Sequence, residues 1–407
     1  MWDFLLRFLG ALWNVVAIIA IAVLLAEVGV TACQRLNRRL RYGRAGKPDE
    51  RANADAYSGA DWPEQYFAEV GYALKFDWMP FVHWRQRPFR GVYTNVDERG
   101  RRATPGADGK EKGAVSVHCF GGSTMWGMGA RDDGTIPAVL QRRLGAAGHR
   151  VILVNQGQSG YIVTQELILL QQVLKHEGAP DVVLFYDGVN DVFSAEATGR
   201  PDAIVAEDAR SAEFNLLGEE RRLDLVRAAF AGVMPRTLRR LRQWTGLDLR
   251  GSLRRSQHVV LSEEQLAPLA RAVIEIYAAN VRMIRVLARA YGFHALFYWQ
   301  PVLASKKVKS ENELKWERTA ARDIARRRQL VAATHDAFRR HPDLKGAPDV
   351  VDLSSLFDDE AKPVYLDFSH LSETANVTVA EAMLPTLEAA VIAVEARKGA
   401  DGVLKMG

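Results

Sequence analysis

From residue 114 onward, short apolar runs alternate with longer amphipathic segments, and that alternation leaves few folds open. The runs lie at 115–120, 150–154, 181–186, 293–299 and 349–352. Most of their positions are apolar, as expected of strands buried on both faces of a sheet, although the last run is the short Asp349-Val350-Val351-Asp352. Helical patterns fall between and after them at 134–146, 163–177, 262–292, 311–340 and 372–396, and Pro137 suits a first helical turn. Strands separated by helices join through crossovers, which predicts a parallel sheet covered on both faces. The fold class is therefore a three-layer α/β/α domain over 114–397. Open sheets of this kind gather their chemistry at the carboxyl ends of the strands.

The N-terminus differs in kind. Phe8 to Ala32 is almost continuously apolar, interrupted by Asn14 and Glu27. About 20 residues cross a bilayer core of roughly 30 Å, so residues 1–33 are expected to form a single-pass transmembrane anchor with membrane lipid as its partner. Arg35, Arg38, Arg39, Arg41, Arg44 and Lys47 follow it, which by charge bias leaves the rest of the chain in the cytoplasm. Val30-Thr31-Ala32-Cys33 resembles a lipoprotein cleavage box and would put the domain on the other side, but Glu27 sits where such signals avoid charge. Residues 34–65 read as a basic juxtamembrane linker. Residues 66–113 read as a hairpin-rich extension carrying Phe67, Tyr72, Phe76, Trp78, Phe81, Trp84, Phe89 and Tyr93.

The net charge of +5 over 407 residues is mostly arginine near the apolar segment and in 221–255. Anionic headgroups account for it, and no nucleic-acid partner is needed. Two cysteines, Cys33 and Cys119, build no disulfide framework, and neither a metal-type Cys/His spacing nor a phosphate loop appears, so no metal or cofactor is expected. Residues 193–266 interrupt the alternation. There Leu223, Val226, Phe230 and Val233 recur at helical spacing ahead of Arg236, Arg239, Arg240 and Arg242. That pattern fits a solvated helical insertion, or a basic amphipathic lid on a membrane surface or an anionic substrate.

Gly121-Gly122-Ser123-Thr124 ends the first run and presents a hydroxyl at the sheet edge, which makes Ser123 the candidate nucleophile. A serine hydroxyl needs an adjacent base oriented by a third group. Of nine histidines, His370 alone has an aspartate three residues before it, in Asp367-Phe368-Ser369-His370. That spacing lets the carboxylate fix the imidazole's tautomer and orientation. An oxyanion also needs donors. Gly188-Val189-Asn190-Asp191 after the third run offers an asparagine amide, and Asn155 to Gly160 after the second offers glycine N–H groups. Asp187 and Asp191 read as turn or capping residues, and Cys119 as a small core residue. His118 lies on the opposite strand face from Cys119, with no acid partner.

These four segments, in this order, resemble the SGNH (GDSL-type) hydrolase superfamily, over about residues 114–395. The resemblance implies Ser123 as nucleophile and as oxyanion donor through its N–H, with Gly160 and Asn190 as the other donors. His370 would be general base and acid, and Asp367 its orienter. Gly160 fits the second block better than Gly157. Gly122 stands where the family usually carries aspartate, a departure that bears on subfamily and loop geometry. The Gly-x-Ser-x-Gly elbow of α/β-hydrolases does not apply, since Met125 occupies its last position. The expected activity is cleavage of O-acyl esters on carbohydrate, lipid or other small-molecule substrates. The alternatives are O-acyl transfer to an envelope glycan and a non-catalytic scaffold role. Acyl group, acceptor and oligomeric state are not readable.

Overall fold

Five strands form one sheet: β5 (Val115–Gly121), β6 (Val151–Asn155), β7 (Val182–Asp187), β8 (His294–Trp299) and β9 (Val350–Asp352). Their order is β6-β5-β7-β8-β9, and every neighbouring pair is parallel. The computed structural model describes residues 2–42, 49–107, 113–204, 207, 210–211, 259–320 and 323–404. The chain divides into two units, Met1–Pro48 with Ala206–Gln257, and Asp49–Val205 with His258–Gly407. In the first unit, helix α1 (Trp2–Tyr42) contains the stretch Trp2–Gln34, which is long and apolar enough to cross a membrane. All other elements described below belong to the second unit.

Alternation along each strand divides the sheet into two cores. Phe120, Val183, Phe185, Phe297 and Trp299 face α5 (Val163–His176), α7 (Glu263–Tyr291) and α9 (Ile324–Arg340). Val117, Cys119, Leu184, Tyr186 and Tyr298 face α4 (Ile136–Ala146) and α10 (Glu373–Leu404). Phe120, Phe185 and Phe297 stack in a row across β5, β7 and β8, with centroids 5.1 and 5.5 Å apart. Each fully buried side chain of this size contributes about 1.5–3 kcal/mol. Helix α10 is apolar for the same reason, since Val379, Met383, Leu387 and Val391 are all buried against the sheet.

The expected helix over 311–340 is two helices, α8 (Glu311–Ala320) and α9, and the Asp323 side chain caps α9 by accepting the Arg326 N–H. Two short helices were not anticipated: α3 (Ser123–Trp126) and α6 (Val189–Thr198). Residues 193–198, read as the start of the insertion, finish α6. The amphipathic arginine-rich pattern of 221–255 lies outside the described residues.

The extension is not only hairpins. Helix α2 (Pro63–Ala73) precedes two antiparallel pairs, β1 (Phe76–Met79) with β2 (His83–Gln86) and β3 (Phe89–Arg90) with β4 (Asn95–Val96). Residues 50–57, read as linker, form two 3-10 turns, after which Ala54 and Tyr57 are buried with Tyr66, Phe67, Val96, Trp126 and Leu366. Arg102 bridges Val96 on one side and Asn155 on the other, so the extension continues the edge of β6. Its guanidinium is buried, donating to Asp132 at 2.8 Å, Gly127 O at 2.9 Å and Ala130 O at 2.7 Å, over the Trp126 ring.

Candidate active site

Ser123 is the first residue of α3, immediately beyond β5, and its N–H has no acceptor among the described residues. A free N–H is what the first turn of a helix leaves behind. His370 and Asp367 come from the turn between β9 and α10, held by an antiparallel bridge from Tyr365 to Leu371. Ser123 Oγ lies 2.7 Å from His370 Nε2, and His370 Nδ1 lies 2.6 Å from Asp367 Oδ2. Asp367 Oδ1 accepts the N–H groups of Ser369 at 3.0 Å and His370 at 2.9 Å.

Asp367 is buried, which by itself opposes ionisation. The His370 ring, its hydrogen bonds and the Arg51 guanidinium overcome that cost and hold the carboxyl well below its ordinary range. An ionised carboxylate only accepts, so Nδ1 carries the imidazole proton and Nε2 is left to accept the Ser123 O–H. This is the protonation state that a serine nucleophile requires.

Two other strand ends contribute, those of β6 and β7. Asn190, in the first turn of α6, donates through Nδ2 to Tyr161 O at 2.7 Å. A Cβ on Gly122 would meet that same Nδ2 at 2.2 Å, so the missing side chain at 122 makes room for the Asn190 amide beside Ser123. Gly188 has φ +120, and a Cβ there would meet the Trp299 ring at 2.9 Å; glycine is what lets β7 turn directly into α6. Gly157 and Gly160 separate clearly. The Gly157 N–H is taken by Asn155 Oδ1 at 2.9 Å, while the Gly160 N–H has no acceptor among the described residues. Gly160 sits at φ +80 beside Trp84, whose Nε1 donates to Ser159 O at 2.9 Å.

Behind this edge Glu166, Asp187 and Asp191 are buried close together. Burial, reinforced by the Asp187 charge, pushes Glu166 far up. Burial likewise raises Asp187, and it moves Asp191 to about 6 against the pull of backbone donors. Asp191 Oδ1 accepts the Val163 N–H at the start of α5, the capping role expected of it. Burial raises the Cys119 thiol and lowers His118 to about 4, so neither is charged at neutral pH, and both point into the core.

Sequence reasoning missed two contributors. Arg51 donates to Asp367 Oδ2 at 3.3 Å from 316 positions away. Thr124 Oγ1 donates to the buried Gln300 Oε1 at 2.8 Å, tying α3 to the end of β8. Neither carries a local motif.

No family model matches the chain, and no curated protein matches it. Among solved structures it is similar to the acetyl xylan esterase AlAXEase, at 16% identity and TM-score 0.34 over 66% of this chain and 98% of that one. It is similar also to an acetylxylan esterase from Geobacillus stearothermophilus (14%, 0.32, 67% and 93%). A third is a lipolytic protein of the G-D-S-L family from Desulfitobacterium hafniense (10%, 0.32, 67% and 99%).

Proposed function

We propose that the protein is a serine esterase of the SGNH type that cleaves O-acyl esters and is held at a membrane by α1. One observation carries this reading: the unbroken relay from Ser123 Oγ through His370 to Asp367, at 2.7 and 2.6 Å. Ser123 Oγ attacks the ester carbonyl as His370 Nε2 takes its proton. The tetrahedral oxyanion is met by the N–H groups of Ser123 and Gly160 and by the Asn190 amide. His370 then protonates the departing alcohol, and water activated by the same imidazole releases the acid. Aromatic side chains of the extension favour a carbohydrate as the alcohol component. Trp78, on β1, and Phe81, in the turn between β1 and β2, are 63% and 76% exposed on the hairpin that also brings Trp84 to Gly160. Flat apolar rings of this kind stack on sugar faces.

Hydrolysis of short acyl esters by the full-length chain tests the reading. Ser123→Ala is expected to abolish turnover with the fold intact. Asn190→Ala is expected to lower it by about 10²–10³, the usual cost of one oxyanion donor. Full turnover in Asn190→Ala would refute the oxyanion assignment.

A further inference from the structure

The triad has a fourth member that lies outside the hydrolase domain in sequence. We propose that Arg51, from the turn before α2, is a positioning residue that holds the Asp367 carboxylate in register with His370. This rests on the esterase reading above.

The guanidinium is built into place. Asp49 grips it twice, with Nη2 donating at 2.7 Å and Nε at 3.0 Å, and the plane lies 4.9 Å over the Phe67 ring. That leaves Nη1 directed at Asp367 Oδ2, the oxygen that also accepts the hydrogen bond from His370 Nδ1. The two side chains are 20% and 14% exposed, so the pair lacks the solvent screening that makes surface ion pairs weak. The turn carrying Arg51 is itself fixed. Glu50 pairs with Lys315 at 3.1 Å, Asn312 donates to Asp55 at 2.6 Å, and the Tyr57 hydroxyl donates to Gly129 O.

The chemistry follows from the fork. A carboxylate free to rotate would exchange its oxygens before Nδ1 and let the ring swing away from Ser123. Asp367 Oδ1 is already committed to two backbone donors, and Arg51 commits Oδ2, so both oxygens are held and one rotamer is favoured. A permanent cation also keeps the oxygen an acceptor while His370 cycles through its charged form. The catalytic serine therefore depends on the short segment that joins the apolar helix to the domain.

The test compares Arg51→Gln, Arg51→Lys and Arg51→Ala with the parent, as full-length protein, on a short p-nitrophenyl ester. Arg51→Gln is expected to lower kcat about 10–100-fold, the scale of a lost orienting contact, with KM within about twofold. Arg51→Lys, which keeps the charge, is expected to recover most of the loss. Guanidinium below denaturing concentration is expected to raise kcat of Arg51→Ala but not of the parent. Unchanged kcat in Arg51→Gln, or equal losses in all three variants without rescue, would overturn the inference. A parent whose turnover requires Ser123 but ignores Arg51 sinks this inference alone. A parent whose turnover survives Ser123→Ala sinks the esterase reading and this inference with it.

Discussion

Gly122 is the residue at which the chain departs from the pattern it resembles, and the contact that explains the departure makes a prediction. The Asn190 amide nitrogen occupies the space a side chain at 122 would need, only 2.2 Å from an ideal Cβ. Gly122→Asp, which restores the more usual residue, should therefore push the amide out of position. Turnover should fall by about 10²–10³, as for loss of an oxyanion donor, with little change in thermal stability. Activity within a few-fold of the parent would show that the amide relocates without cost. At this scale the sequence was most informative where a residue type has few uses. A serine after two glycines and an aspartate three before a histidine both end at the sheet edge and meet there. Arg51 was invisible because arginines are common in this chain, and nothing local distinguishes one that crosses 316 positions to a carboxylate.

Among elements, the strands were legible because burial in the sheet leaves short, mostly apolar runs, most completely in β7, and the five runs correspond to β5–β9 within a residue or two. The short helices α3 and α6 were not, since four and ten residues give too little period to read. The extension was misread in part because its order comes from polar anchors rather than from apolar alternation. Glu69 accepts backbone N–H groups of Val92, Tyr93 and Thr94, and Arg102 ties Asp132 to the turn after α3. Removing one partner of so buried an ion pair leaves the other charge uncompensated. Arg102→Met should thus cost about 3–5 kcal/mol in urea unfolding. A loss below about 1 kcal/mol, the scale of a surface pair, would mean that Arg102 does not anchor the extension.

For the molecule as a whole, buried titratable groups give stability a pH dependence of known sign. Burial lowers His118 and His335 to about 4, so between about 6.5 and 4 the unfolded chain binds protons that the native state refuses. The stability linked to these two histidines is present above about 6.5 and is lost as pH falls through that window. Asp191, raised to about 6, acts in the opposite sense, losing stability as pH rises. Comparison with a variant separates the two effects. His118→Gln combined with His335→Gln should gain stability relative to the parent as pH drops from 7 to 4, read from urea midpoints. Parallel curves would contradict the assignment. The same scale holds the central claim, that one relay assembled from the ends of the chain's strands and its last turn makes Ser123 a nucleophile. Its most direct test is to treat the full-length protein with a fluorophosphonate and locate the adduct by peptide mass spectrometry. A single phosphonylated residue, Ser123, is expected, with labelling lost in His370→Ala although that protein folds. A folded parent that takes no label at Ser123, or takes it as readily without His370, would contradict it.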